Sequence, residues 1–297
     1  MTRSGFIGLA GRPNVGKSTL ANTIVGSKVA IVSDRPQTTR RAVRGIATDP
    51  AGEWQMILVD LPGVQRPRDT LTARMQRRVE QELADADAAL LVLDGVQGVG
   101  PGDRFISKAL LAASDSTPVC CAVNKCDRLG RGETATALAA AAELGTVDEV
   151  FPVSAKTGAG LDPLTEHLVS LLPEGPLLYP PEDRYDLPSE VHLAELVREQ
   201  VLRRTRDEVP HAVEVVVESA EPRDDGLVEI RAQVWVETES QKGIVVGKGG
   251  KMIRDIGTAA RKELERDLGA RVFLDLQVRV RRRWRRDETL LDRIGIE

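Results

Sequence analysis

Residues 11 to 18 read Gly11-Arg12-Pro13-Asn14-Val15-Gly16-Lys17-Ser18 and satisfy the pattern G-x-x-x-x-G-K-[ST] at every fixed position. The chemistry open to such a loop is the capture of a phosphate chain, with backbone N–H groups wrapping the anion at a helix N-terminus. Gly11 and Gly16 allow an approach that a Cβ would block. Lys17 supplies positive charge to β- and γ-phosphate oxygens, and the Ser18 hydroxyl is a ligand for Mg²⁺. Phe6 to Ala10 before the loop reads as a buried strand, and Thr19 to Val25 after it as a helix.

Which base accompanies the phosphates is set further along. Asn124-Lys125-Cys126-Asp127 follows the apolar run Val119 to Val123. A carboxylate at Asp127 accepts from both N1–H and the exocyclic amine of guanine, whereas adenine offers no such paired donors. A site built this way rejects ATP, because ATP leaves the carboxylate unsatisfied. Asn124 is expected to tie this loop to the phosphate loop, and the Lys125 stem to cover the base face. Ser154-Ala155-Lys156, after Val150 to Val153, offers a backbone N–H to guanine O6. Asp60-Leu61-Pro62-Gly63, after Met56 to Val59, places Asp60 to hold Mg²⁺ through water and the Gly63 N–H to sense the γ-phosphate.

Each of these motifs is short, and a lone Asp after a strand is more often a turn or cap. Their joint value is placement, since each begins where an apolar run ends. Ligands of open α/β sheets bind outside the carboxyl ends of the strands, so the motifs converge on one rim. Order and spacing are those of a GTPase that binds GTP and GDP with Mg²⁺.

The elements that must position these groups alternate from Phe6 to about Leu172, as in a doubly wound α/β sheet. Ala135 to Leu144 is alanine-rich and helical. Pro173 to Pro181 sustains neither helix nor strand, which divides the chain into a G domain over 1–172, a linker over 173–188 and a second domain over 189–297. In the second domain, Ser189 to Arg206 reads as a helix with Ser189 as N-cap. Strands follow over Ala212 to Ser219 and Leu227 to Thr238, then Gly247-Lys248-Gly249-Gly250, a helix from Met252 to Leu268, and a strand from Arg271 to Val280.

The order α-β-β-(GxxG)-α-β matches a smaller α+β domain of the KH (type II) kind, whose GxxG loop clamps the backbone of single-stranded nucleic acid. Here Gly247, Gly249 and Gly250 let the chain approach phosphates, Lys248 and Lys251 supply charge, and Ile244, Val245 and Ile253 floor a groove. Arg281, Arg283 and Trp284 lie in a basic run ending at Arg286. Trp284 has two readings, stacking on a base or anchoring the C-terminal tail to the core.

Composition sets the outer bounds. The 297 residues carry a net charge of −4 and 41% hydrophobic residues, with no apolar stretch long enough to span a membrane and no apolar leader-like run. A cytoplasmic protein is expected. Cys120, Cys121 and Cys126 show no metal-like spacing, and the first two read as core packing. The charge is polarised along the chain. Residues 1–181 hold 19 Lys and Arg against 20 Asp and Glu, 182–239 hold 7 against 16, and 240–286 hold 14 against 5. That last excess is the electrostatic footprint for a polyanion.

With these residues together, the chain resembles the Era family of bacterial GTPases. The resemblance rests on GRPNVGKSTL, on Pro36-Gln37-Thr38-Thr39-Arg40, on the GTPase motifs and on the C-terminal KH pattern, and it extends to Trp284, Leu290-Leu291 and Ile294-Gly295. It implies binding of the 3′ end of 16S rRNA through the KH groove and assistance to 30S subunit assembly, with no DNA partner and a monomeric chain. It also implies that Thr38 or Thr39 meets Mg²⁺ when GTP is bound. Val64 follows Gly63 where Ras has a water-orienting glutamine, so intrinsic hydrolysis is expected to be slow. Asn14 stands where some related GTPases hold K⁺. A rival reading places the arginine-rich C-terminus on anionic lipid as a peripheral membrane protein. Another makes the chain an RNA-binding module with a dead GTP site, against which Lys17, Ser18, Asp60 and Asp127 speak.

Overall fold

The structure is a computed structural model that describes residues 2–35, 37–63, 67–113 and 117–296. Two compact units divide the chain. The first comprises Met1–Ala30, Thr39–Pro67 and Thr72–Asp186, and the second Ile31–Thr38, Arg68–Leu71 and Leu187–Glu297.

The first unit alternates strands and helices: β1 (Arg3–Ala10), α1 (Lys17–Val25), β2 (Val43–Thr48), β3 (Trp54–Asp60), α2 (Thr70–Ala84), β4 (Ala88–Asp94), α3 (Pro101–Ala113), β5 (Val119–Asn124), α4 (Arg131–Ala142), β6 (Val150–Pro152) and α5 (Leu161–Leu171). Among the described residues the sheet runs β2-β3-β1-β4-β5-β6. Every residue of β4 and β5 is buried, as expected of parallel strands covered on both faces. The pairings are parallel except that of β2 with β3. A five-residue turn joins those two strands, its N–H groups at Ala51 and Glu53 donating to Asp49 Oδ2, and a link that short returns the chain only antiparallel. The doubly wound reading therefore holds with one antiparallel edge.

The segment expected as a linker is not a slack tether. Glu174 bridges to Arg3 and Tyr185 to Gly45, and the Gln55 side chain accepts from the Leu178 and Tyr179 N–H groups.

The second unit contains α6 (Ser189–Arg204), α7 (Val209–Ala212), β7 (Glu214–Pro222), β8 (Leu227–Val236), α8 (Glu239–Val246), α9 (Lys251–Leu268), β9 (Arg271–Val280) and α10 (Glu288–Arg293). Its sheet runs β7-β8-β9, with β8 and β9 parallel in register from Leu227 opposite Arg271 to Val236 opposite Val280. Val197, Val201, Ile230, Val234, Val245, Ile256, Ala260 and Leu264 form its core. Two expectations are corrected. Pro188, not Ser189, is the N-cap of α6, and no side chain caps that end. Helix α8 stands between β8 and the GxxG turn; its capping box, Thr238 Oγ1 accepting from Gln241 N and Gln241 Oε1 from Thr238 N, takes the chain out of the strand two residues before the expected end.

Candidate nucleotide site and nucleic-acid groove

The phosphate loop leaves β1 at Ala10 and enters α1 at Lys17. Gly16 caps that helix at φ 103° with no side-chain hydrogen bond, so the first-turn N–H groups face outward as an anion site. An ideal Cβ on Gly16 would lie 2.3 Å from Asn124 Nδ2, and one on Gly63 would lie 2.9 Å from Pro13 Cγ. At both positions a side chain would collide with protein neighbours. Lys17 is buried and its Nζ donates to Gly11 O at 3.1 Å and Arg12 O at 3.2 Å. Arg12 turns aside, its Nε donating to Asp103 Oδ1 at 2.8 Å. Asn14 is exposed at φ 65° and Thr19 is half-buried. Val15, Leu61 and Pro62 are buried.

Three oxygens meet beside this loop. Ser18 Oγ donates to Asp60 Oδ2 at 2.6 Å, Thr39 Oγ1 lies 3.1 Å from Ser18 Oγ, and Thr39 Oγ1 donates to Asp60 Oδ2 at 3.3 Å. Thr38 does not join them; its hydroxyl donates to Arg35 O at 2.6 Å. Asp60 Oδ1 is buried without a hydrogen-bond partner. Burial pushes the Asp60 carboxyl above its ordinary value, and the Lys17 charge with the Ser18 and Thr39 hydroxyls offsets this only in part. Burial pulls Lys17 below its ordinary value, with Asp60 acting in the opposite sense. An all-oxygen donor set with an unpartnered buried carboxylate oxygen fits a hard divalent cation. Pro36 and Val64 lie outside the described residues.

The base loop is built around Asn124. Its Nδ2 donates to Val15 O at 2.8 Å, and its Oδ1 accepts from Lys125 N at 2.8 Å and Ala155 N at 2.9 Å. The expected tie between the two loops is therefore present. Of the Ser154-Ala155-Lys156 run, expected to offer a backbone N–H to guanine O6, the Ala155 N–H donates to Asn124 Oδ1 and Lys156 is exposed. Asp127 is exposed, with Oδ1 accepting from Ser154 Oγ at 2.7 Å. Lys125, at φ 67°, donates through Nζ to Asn14 O at 2.8 Å and to Asp94 Oδ2 at 2.7 Å. Asp94 escaped the sequence reading, although it too ends an apolar strand. Burial raises the Cys120 thiol to about 12, as suits core packing.

In the second unit a cleft of about 410 Å³ opens between α9 and β9, lined by Ile253, Gly257 and Thr258 on one side and Phe273, Leu274 and Leu276 on the other, with Arg254 and Arg261 at the helix face. Lys248, Gly249 and Lys251 are exposed, Ile244 is 42% exposed, and Gly247 and Gly250 are half-buried. Gly249 and Gly250 have φ of 61° and 75°, and a Cβ on either meets nothing within 4 Å, so open space lies over the turn. Arg254 Nη2 donates to Gly249 O at 2.9 Å and stiffens it. Two sequence assignments fail. Val245 is fully buried in the core and cannot floor the groove. Trp284 is fully buried too, its Nε1 donating to Ala212 O at 2.8 Å, so it anchors the tail and cannot stack on a base. Arg281 lies over the Trp235 ring, and Arg283 lines a separate cleft with Arg282, Arg285 and Arg286. Phe273, 49% exposed, is the aromatic that the sequence reading missed; on an edge strand its outward register was not legible without knowing which face α9 covers.

Comparison with known proteins agrees with this geometry. A family model described as a 50S ribosome-binding GTPase matches residues 6–125, and a KH domain model matches 208–285. The chain is 46% identical over 296 residues to GTPase Era of Mycobacterium sp. (strain KMS), covering 99% of this chain and 98% of that protein. It is 45% identical to GTPase Era of Mycobacterium tuberculosis (strain ATCC 25177 / H37Ra), covering 98% of each. Among solved structures, Era in complex with MgGDPNP and nucleotides 1506–1542 of 16S ribosomal RNA superposes with a TM-score of 0.95 at 35% identity, covering 100% of this chain and 99% of that one. An Aquifex aeolicus Era variant bound to GDP·AlF₄⁻ gives 0.94 at 35% identity, covering 99% of each.

Proposed function

Because the chain belongs to the Era family of GTP-hydrolysing P-loop enzymes, we propose that its GTP cycle gates the groove of the second unit for the 3′ end of 16S rRNA and so serves 30S subunit maturation in the cytoplasm. The observation that carries this reading is the convergence of Ser18 Oγ, Thr39 Oγ1 and Asp60 Oδ2 beside the phosphate loop, in a chain whose GxxG turn leads into α9, the helix whose Arg254 and Arg261 line an open cleft.

Lys17 exchanges its two carbonyl partners for β- and γ-phosphate oxygens, and the Gly63 N–H senses the γ-phosphate. Asp127 reads guanine with the carboxylate edge that Ser154 leaves open, while Lys125 is held by Asp94 along the base face. Ser18 and Thr39 would hold Mg²⁺ directly and Asp60 through water. When bound, that ion would supply positive charge against the phosphate oxygens. Water attacks the γ-phosphorus in line, and loss of the γ-phosphate frees Thr39 and Gly63. No glutamine follows Gly63, so the intrinsic rate is slow. Asn14 would hold a K⁺ ion whose charge would do the work of an arginine finger; equal GTPase rates in K⁺ and Na⁺ would remove this part of the reading.

The 16S fragment bound by the solved Era relative sets the test for this chain. A short RNA copying the small-subunit rRNA 3′ end is titrated by fluorescence anisotropy with GDP and with a non-hydrolysable GTP analogue, across a salt series. Tighter binding with the analogue, with a slope set by the phosphates contacted, is the expected result. Equal binding in both states overturns the gating. No RNA binding, with binding to anionic vesicles instead, shifts the assignment to a peripheral membrane role for the exposed Arg282, Arg283 and Arg286; among the described residues no helix is long and apolar enough to cross a membrane. The reading also takes the chain to act as a monomer.

A further inference from the structure

The segment Ile31–Thr38 belongs by its contacts to the second unit, whereas Thr39 belongs to the first. The segment is fastened to α6 and its C-terminal end at separate points. Val32 N donates to Glu199 Oε1 at 3.0 Å, Arg35 Nη2 donates to Thr205 O at 3.1 Å, and Arg198 Nη2 donates to the carbonyl oxygen of Thr38. None of the anchoring side chains on α6 is free to wander. Arg198 and Glu199 are both fully buried. The Arg198 fork is squared by Glu195, with Nε to Oε1 at 3.0 Å and Nη2 to Oε2 at 2.5 Å, and Glu214 stands 3.7 Å from Nε. Glu199 Oε1 also accepts from Arg203 Nη2 at 3.1 Å, and its Oε2 from Gln200 Nε2 at 3.2 Å.

The Thr38 carbonyl lies in the same rigid peptide plane as the Thr39 N–H. Holding that oxygen restrains the plane, and Thr39 is left with its φ and χ1 rotations, each confined to a few wells, to bring Oγ1 against Ser18 and Asp60. We propose that Arg198 and Glu199 of α6 are positioning residues for GTP hydrolysis, acting through the Thr38 peptide and the Val32 N–H to hold Thr39 Oγ1 at the Mg²⁺ corner. The inference rests on the assignment of Thr39 as the hydroxyl that meets Mg²⁺. Its consequence is that a helix of the KH-bearing unit influences the rate of chemistry at the phosphate loop through the chain that joins Thr38 to Thr39. The discriminating chemistry is bidentate: an ammonium at position 198 cannot satisfy the Glu195 carboxylate and the Thr38 carbonyl in one plane.

The test uses the full-length protein with R198K, E199L, E199Q and T39A, each checked by thermal melting and by GDP affinity. Expected are a fall in kcat of about 10²-fold for R198K and E199L, the scale of a roughly 1 Å misplacement, a higher Mg²⁺ concentration for half-maximal hydrolysis, and GDP affinity within about twofold of wild type. E199Q keeps an oxygen that accepts from Val32 N and is expected to restore most of the rate that E199L loses. A merely structural role lowers the melting temperature without moving the Mg²⁺ dependence. Wild-type kcat and Mg²⁺ dependence in E199L, with T39A inactive, overturns the inference and leaves the Thr39 assignment standing; a fully active T39A overturns that assignment. Should R198K not fold, the contrast between E199L and E199Q decides.

Discussion

The Asn124 side-chain amide occupies the space that any side chain on Gly16 would need: a Cβ there falls 2.3 Å from Nδ2, while that same amide donates to Val15 O at 2.8 Å. The phosphate loop and the base loop are thus one packed object. Gly16→Ala is expected to lower GTP and GDP affinity by about 10²-fold, since it combines an unfavourable φ of 103° with loss of the Asn124 bonds, each effect costing roughly 1–3 kcal/mol. Because Asn124 is the group displaced, the same substitution in an Asn124→Ala background should cost less, with the φ strain alone remaining. A double-mutant cycle by fluorescent-GDP titration reads this directly, and strictly additive losses would sink the packing argument.

Asp60 gives a pH prediction for the nucleotide-free, Mg²⁺-free protein. Its folded value is raised above the ordinary 3.8 by burial. A raised carboxyl favours the folded state while it is protonated, so its contribution is complete below about 4 and is lost as pH climbs through the raised value. Asp60→Asn, which cannot ionise, should therefore melt close to wild type at about pH 4 and increasingly above it as pH rises toward 7. With Mg²⁺ and GDP the order should reverse, because the ionised carboxylate then has its cation. Parallel melting curves for the two proteins across that pH range would show that Asp60 is not strained in the free enzyme.

Most of the nucleotide site was legible because each motif carries its own local reason: strand end, turn, ligand chemistry. What escaped needed long-range packing. Nothing near Thr38 in sequence reveals that its carbonyl meets Arg198, 160 residues away. Trp284 sits among arginines, and only the fold shows that Ala212 O receives its N–H. Val245 and Ile244 are adjacent and both apolar, yet one is fully buried and the other 42% exposed; the phase of α8 decides, and that helix was itself hidden behind a strand that ran two residues long. The antiparallel β2 follows from a short turn and was within reach of the sequence.

Specificity for guanine should reside in Asp127. Its exposed carboxylate is held at one oxygen by Ser154 Oγ at 2.7 Å, which presents the other edge to the paired donors of the base. Asp127→Asn exchanges an acceptor for a donor. GTP affinity is expected to fall by about 10²- to 10⁴-fold, the worth of two charge-assisted hydrogen bonds at roughly 1.5–3 kcal/mol each, while xanthosine triphosphate, with a carbonyl where guanine has its amine, gains. Competition binding of the two nucleotides measures the switch, and an unchanged GTP preference would refute the assignment.

The last prediction separates the groove from the anchor. Gly249 holds φ 61° with open space around the position a Cβ would take, and aspartate tolerates the left-handed region better than most residues. Gly249→Asp should therefore fold, place a carboxylate where an RNA phosphate must approach, and weaken RNA binding by at least about tenfold, equivalent to roughly 1.4 kcal/mol, with GTP affinity intact. Trp284→Phe should do the opposite. It keeps an aromatic ring in the core but leaves Ala212 O without its donor, a cost of about 1–3 kcal/mol, so the melting temperature falls while the folded protein binds RNA normally. Measuring RNA anisotropy and thermal unfolding on both variants places each residue. An intact melt with lost RNA binding in Trp284→Phe would return the indole to the RNA surface, and an unaltered RNA affinity in Gly249→Asp would remove the turn from it.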